Sequence, residues 1–188
     1  MTPFPAFLLL NGRPVLVVGA GPVAASKLKS LLETGTRVTV VAPHMLPEVE
    51  RAQVSLVRRG FEPADIDGCW FVVAAATPEV NLAVARAAEE RRVFVNAVDD
   101  LAAASTYLGG VVRRGGVTVA ISTGGRAPAL AGLLREALDS LLPDDLGEWK
   151  AEAERLRPVW RAERVPIGER RPLLLRALQK LYATRRAA

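Results

Sequence analysis

The sequence predicts an α/β fold in which a parallel sheet is wound with helices and a helical region closes the chain. Three observations carry this reading. Short apolar stretches rich in β-branched residues recur at Pro14 to Val18, Arg37 to Val41, Val54 to Val57, Trp70 to Ala75, Val93 to Ala97 and Val117 to Ser122. Most are separated by segments of helical period, and strands that alternate with helices make a parallel sheet. Beyond "ISTGGRAP" no strand pattern follows, and residues 144–188 are charged and helix-prone.

Taken in order, the first strand runs into "GAGPVAASKL", whose helix begins near Pro22. Ala24, Leu28, Leu31 and Leu32 fall at i, i+4, i+7 and i+8 along it, and Gly35 stands where a left-handed cap is wanted. A second helix opens on Thr77 as N-cap with Pro78 at its first position, and its periodicity buries Val80, Val84, Ala87 and Ala88. The sheet wound in this way extends to about residue 112. After "STGGRAP", Leu130, Leu133, Leu134, Ala137, Leu138, Leu141 and Leu142 form a long apolar stripe that Pro143 ends. Pro158, Pro166 and Pro172 are expected to break the remainder into pieces. The organisation expected is a sheet domain over residues 1–112, an intermediate element over 113–145 and a helical C-terminal region over 146–188.

Composition narrows the classes of function. A chain of 188 residues buries a sizeable core. Its 25 Lys and Arg outnumber 20 Asp and Glu, a net charge of +5 that suits an acidic ligand or nucleic acid. Nucleic acid is disfavoured, because aromatic residues are only 5% of the chain and no Lys/Arg run is interleaved with them as a stacking platform needs. The apolar runs stop short of the roughly 20 residues that span a bilayer, so no membrane partner is expected. The opening "MTPFPAFLLLNGRP" has no basic region before its apolar stretch, which makes the cytoplasm the expected location. Cys69 and His44 are the only residues of their types, which excludes an internal disulfide and leaves no ligand set for a thiolate metal site.

The stretch Gly19-Ala20-Gly21-Pro22-Val23-Ala24 is a G-x-G-x-x-A pattern directly after a strand and at the start of a helix. The first glycine permits the tight turn, the second removes a side chain where a pyrophosphate approaches the backbone, and Ala24 lets helix and strand lie close. Free N–H groups and the positive end of the helix dipole favour the anion. This context predicts a doubly wound sheet of Rossmann type that binds a dinucleotide. The acid usual about 20 residues on for the ribose hydroxyls is missing, since the second strand ends "VTVVAPHM". Adenosine contacts then fall to backbone groups around Ala42, Pro43 and His44. No Arg stands at that strand end for a 2′-phosphate, so the cofactor expected is NAD.

Ligands collect outside the carboxyl ends of such strands, where "AAATPEVN" and "VNAVDD" also arrive. Thr77 is expected as a helix cap, Asn81 either as a site residue or as a helix surface residue, and Asn96 either as a ligand contact or as a partner of loop backbone. Asp99 and Asp100 point opposite ways if extended, so one at most faces a cleft, as a general base or as part of a solvated turn. "STGGRAP" offers a second anion site before a helix. Arg113, Arg114, Arg126 and Arg135 lie near it in sequence and suit a ligand rich in carboxylates. The competing reading makes Arg113 and Arg114 an ordinary hairpin tip in "VVRRGGV".

The ordered set "VLVVGAGPVAASKLKSLLETG", "VTVVAP", "CWFVVAAATPEVN", "FVNAVDDLAAAS" and "VAISTGGRAPALAGLLREALDSLLP" resembles the siroheme synthase N-terminal family, the precorrin-2 dehydrogenases and sirohydrochlorin ferrochelatases, over roughly residues 4 to 145. The resemblance implies NAD-dependent oxidation of precorrin-2 to sirohydrochlorin, with iron insertion in several members. It puts the catalytic aspartate on Asp99. Dinucleotide contacts fall on Gly19, Gly21, Pro22, Val23, Pro43 and His44, and near Thr77, Asn96 and Val98. The tetrapyrrole's eight carboxylates would meet Ser122, Thr123, Gly124, Arg113 and Arg126. It also implies a homodimer, with residues 113–145 as a central dimerising β/α element. The chain departs from the pattern at Ser26, where Arg is frequent, at Thr106, where an aromatic is usual, at Gly109, where Pro is usual, and at Ala127, where Ser is usual. The alternative function is a regulatory module in which the same loop senses NAD without turnover.

Overall fold

The computed structural model describes residues 2–98, 100 and 102–186, with side chains as far as Tyr182. The chain forms two units, Met1–Leu108 and Gly109–Ala188. The strand β6 (Gly110–Arg114) pairs wholly within the second unit.

The first unit holds five parallel strands: β1 (Pro14–Val18), β2 (Arg37–Val41), β3 (Ser55–Val57), β4 (Phe71–Ala74) and β5 (Phe94–Ala97). Their order across the sheet is β3-β2-β1-β4-β5. The chain winds outwards from β1 in one direction, then returns to place β4 on its other side. That reversal between β1 and β4 is where an open α/β sheet has its ligand crevice.

The strands read as nearly continuous apolar runs because both faces are covered. Alternate residues serve opposite faces. Val15, Val17, Val38, Val40, Phe71 and Val73 pack with Ala24, Leu28 and Leu31 of α1 (Pro22–Leu32) and with Val49 of the short helix α2 (Pro47–Glu50). On the other face Leu16, Val18, Val72, Ala74 and Val95 pack with Val84, Ala85, Ala87 and Ala88 of α3 (Pro78–Glu90) and with Ile66 of a 3-10 turn at Pro63–Ile66. The predicted helix faces are those observed, apart from α2 and the 3-10 turn, which are too short to show a period.

In the second unit β6 and β7 (Val117–Ile121) form an antiparallel hairpin. Its turn uses Gly115 and Gly116 at φ +56° and +74°, the left-handed pair a two-residue hairpin needs. Gly109 is required by close approach: a Cβ there would overlap the carbonyl oxygen of Ile121. Three helices follow, α4 (Pro128–Leu141), α5 (Leu146–Ala162) and α6 (Ile167–Arg186). Of the three prolines expected as breaks, Pro166 falls between helices, whereas Pro158 and Pro172 lie inside α5 and α6. Tertiary contacts hold this helix pair, with Trp149 Nε1 donating to the Tyr182 hydroxyl at 2.6 Å and that hydroxyl donating to Asp145 at 3.1 Å.

Candidate functional site

The two glycines of the first loop owe their identity to different causes. Gly19 sits at φ +103°, and a Cβ on it would overlap the Ala75 carbonyl oxygen beyond β4, so the fold itself demands glycine. Its N–H donates to Val41 O at 2.9 Å and ties the loop to β2. Gly21 has φ −82° and ψ −173°, extended backbone that any residue adopts. A Cβ there would meet nothing within 4 Å. Gly21 therefore has no folding reason to be glycine, and the open space beside it is what an approaching pyrophosphate requires.

The rest of the helix start agrees with that reading. Gly21 is the N-cap of α1 and Pro22 its first residue; no side chain caps it and no acid stands in its first turn. The early N–H groups of Val23 and Ala24 have no partner within a helix by construction, and no carboxylate competes with an anion for them. Val23 is 43% exposed, and Pro43 and His44 are exposed where the chain leaves β2. The residues present thus fit a dinucleotide: Gly21, Val23 and Ala24 to hold the pyrophosphate, and the Ala42–His44 backbone to face the adenosine.

The loops after β4 and β5 are braced from within. Ala75 N–H donates to Val18 O at 2.8 Å, and Val98 N–H to Ala74 O at 2.9 Å. Asn81, for which the helix surface was one expectation, is buried and accepts from the Ala76 N–H at 2.9 Å through Oδ1. A signal for this existed, since Asn81 lies on the buried stripe with Val84, Ala85 and Ala88 at i+3, i+4 and i+7. Thr77 is the N-cap of α3 by position, but its side chain makes no capping bond. Its hydroxyl instead hydrogen-bonds Glu79, which, behind backbone hydrogen bonding at Glu79 itself, holds that carboxyl below its usual range.

The Asn96 side chain braces loop backbone through its Nδ2. It is buried, and its Nδ2 donates to Thr106 O at 3.0 Å. Ser105 and Thr106 N–H groups donate to Val95 O, and Ser105 Oγ accepts from Val95 N–H at 2.8 Å. This stitching covers the outer edge of β5, which would otherwise expose unpaired backbone. Thr106 Oγ1 is buried and, among the described residues, lacks a hydrogen-bond partner. Asp99, the expected catalytic residue, lies outside the described residues. Asp100 takes the turn role: its Oδ1 accepts from Ala102 and Ala103 N–H at 3.0 and 3.1 Å. Residues on either side of position 99 are thus anchored. Cys69 precedes β4, at the opposite end of the sheet, and burial pushes its thiol up.

In the second unit, the "STGG" turn bonds to itself. Ser122 Oγ accepts from Gly124 N–H at 3.1 Å, while Thr123 Oγ1 donates to Ala127 O at 3.0 Å and accepts its N–H at 3.3 Å. Gly124 and Gly125 take φ +64° and +74°. Arg126 is exposed. Arg113 and Arg114 do belong to a hairpin tip and, as adjacent strand residues, point to opposite sides. Arg113 is exposed, whereas Arg114 donates to Leu142 O at the end of α4 and pairs with Asp139 at 3.0 Å. Arg135 pairs with Glu136 at 3.1 Å. Among the four arginines Arg114 is therefore structural. Arg114→Ala is expected to lower the melting transition of this unit by about 1–3 kcal/mol of stability, with NAD affinity unchanged in calorimetry.

Comparison with known proteins follows the same division. Residues 6–110 match a family model described as putative NAD(P)-binding, and residues 114–141 match one described as sirohaem biosynthesis protein central. A siroheme synthase of Citrobacter koseri is 40% identical over 100% of this chain and 41% of its own length. Siroheme synthase 1 of Aeromonas salmonicida is 42% identical over 93% of this chain and 38% of its own. The chain thus spans about two fifths of the length of these relatives. A solved structure of SirC, precorrin-2 dehydrogenase, superposes on 92% of this chain and 88% of its own with a TM-score of 0.70 and 26% identity. Among the described residues no helix is long and apolar enough to cross a membrane.

Proposed function

The chain belongs to the siroheme synthase N-terminal family, and from that premise we propose that it oxidises precorrin-2 to sirohydrochlorin with NAD as cofactor, in the cytoplasm. The observation that carries the proposal is the open cradle at Gly21, a glycine without a folding role, in a chain that superposes over nearly its whole length on a precorrin-2 dehydrogenase. A match to the sirohaem central model behind the sheet domain is not what a stand-alone NAD-sensing module would carry, so the regulatory alternative is not favoured.

Bound NAD supplies the hydride acceptor for the reaction. The backbone at Gly21, Val23 and Ala24 would hold its pyrophosphate, with Gly19 and Pro22 shaping the loop; Pro43 and His44 would flank its adenosine, and Thr77, Asn96 and Val98 would border the remainder. The role of Asp99 is to remove the proton that must leave as a C–H hydride departs, so that two electrons and two hydrogens are lost from the macrocycle. Ser122, Thr123, Gly124, Arg113 and Arg126, all in the second unit, are the groups proposed to bind substrate carboxylates. Mixing the protein with NAD and precorrin-2 is expected to raise the reduced-nicotinamide absorbance together with the spectrum of sirohydrochlorin. A mixture in which both spectra stay constant would sink the assignment. Adding ferrous or cobaltous ion to sirohydrochlorin tests whether the same chain inserts metal.

The proposal includes a homodimer built on α4. Leu130, Leu133, Leu134 and Leu141 are 48%, 64%, 41% and 76% exposed, and Ala131 alone is buried along that helix. Much of the apolar stripe read along this helix is thus uncovered in one chain, which a second copy would remedy. Sedimentation at micromolar concentration is expected to give twice the chain mass. Leu133→Glu is expected to give the monomer; a wild-type monomer would count against the dimer.

A further inference from the structure

We propose that Arg58 equips the adenosine end of this site to hold a phosphate on the ribose 2′-hydroxyl, so that the chain binds NADP as well as NAD. The inference rests on the dinucleotide reading of the glycine loop and extends it to which dinucleotide is admitted. Along the sequence, "VTVVAPHM" shows neither the acid that accepts ribose hydroxyls nor an arginine that holds a 2′-phosphate. The fold supplies the arginine from the neighbouring strand. β3 runs parallel to β2 with Val57 beside Val41, and Ala42 N–H donates to Val57 O at 3.2 Å. The chain therefore leaves both strands at the same level, Ala42–Pro43–His44 from β2 and Arg58–Arg59 from β3.

The two arginines differ in how they are held. Arg59 is locked: it grips Asp65 with two nitrogens at 2.9 and 2.6 Å, donates to Gly60 O at 2.9 Å, and lies 3.5 Å from Glu62. The Arg59 guanidinium in turn holds the Asp65 carboxyl below its usual range. Among the described residues Arg58 pairs with Glu50 Oε1 at 2.7 Å, and its side chain is 56% exposed. Such an exposed pair contributes little, whereas a phosphate dianion accepts two charge-assisted bonds from one guanidinium. Arg58 can therefore exchange Glu50 for phosphate. With NAD the ribose carries no charge and the pair stays closed. No carboxylate at the end of β2 repels the phosphate.

The test is calorimetry of the full chain with NAD and with NADP, for wild type, Arg58→Ala and Glu50→Gln. Wild type is expected to bind both cofactors, with NADP affinity falling more steeply as salt is raised. Arg58→Ala is expected to weaken NADP by about tenfold or more, equal to about 1.4 kcal/mol per factor of ten, while NAD affinity stays the same and reports an intact fold. Glu50→Gln is expected to strengthen NADP alone. NAD binding without NADP binding, or NADP affinity indifferent to Arg58→Ala, overturns the inference and leaves the dinucleotide site standing. Failure of wild type to bind either cofactor overturns both.

Discussion

Gly21→Asp is expected to abolish NAD binding in a protein that is folded and no less stable than wild type. The two effects separate because Gly21 combines ordinary extended dihedrals with an empty Cβ position. A Cβ there meets nothing within 4 Å, so the backbone accepts a side chain. It also stands at the N-cap of α1, where Asp is among the favoured residues and typically stabilises by about 1 kcal/mol over a residue that cannot cap. Its carboxylate, however, would occupy the space and the N–H groups that the pyrophosphate needs, and would repel it. Calorimetry and a thermal melt on the same preparation check the pair of outcomes. Unchanged NAD affinity would remove the glycine loop from the site. Gly19→Ala is the contrasting variant: it forces a Cβ onto the Ala75 carbonyl at φ +103° and is expected to cost on the order of 3 kcal/mol of stability.

Asp99→Ala is expected to retain NAD and precorrin-2 binding while turnover falls by roughly 10² to 10⁴, the contribution of a general base. Asp100→Ala provides the comparison. Because Asp100 caps the backbone of Ala102 and Ala103, its loss is expected to cost about 1 kcal/mol locally, with turnover reduced far less than in Asp99→Ala. Single-turnover kinetics with precorrin-2, alongside the binding constants, measures both. A wild-type rate in Asp99→Ala would transfer the proton-removing role to another group. Equal losses in the two variants would mean that the loop, rather than one carboxylate, carries the effect.

Some of the site was legible because its cause is local. The glycine loop is readable since turn sterics and helix-start geometry involve only consecutive residues, and the burial of Val84, Ala87 and Ala88 follows from a helical period inside one segment. Asn96 shows the limit. Its residue type fits a ligand contact as well as a backbone brace, and the choice depends on Thr106, ten residues on, being laid along the edge of β5. The prolines of α5 and α6 show another limit, since a propensity that ends an isolated helix is overridden by packing between helices.

What the sequence by itself determined is the class of fold, the dinucleotide loop with its two unlike glycines, and a long apolar stripe on α4. These are written in periods and short spacings that survive without knowledge of partners. Only the tertiary structure decided that Asp100 holds a turn, which arginine of the hairpin tip anchors α4, and that Arg58 leaves β3 at the level of Ala42. Each depends on the pairing of groups far apart in the chain. Strand register and long-range hydrogen bonds set those pairs, and no window of sequence contains them.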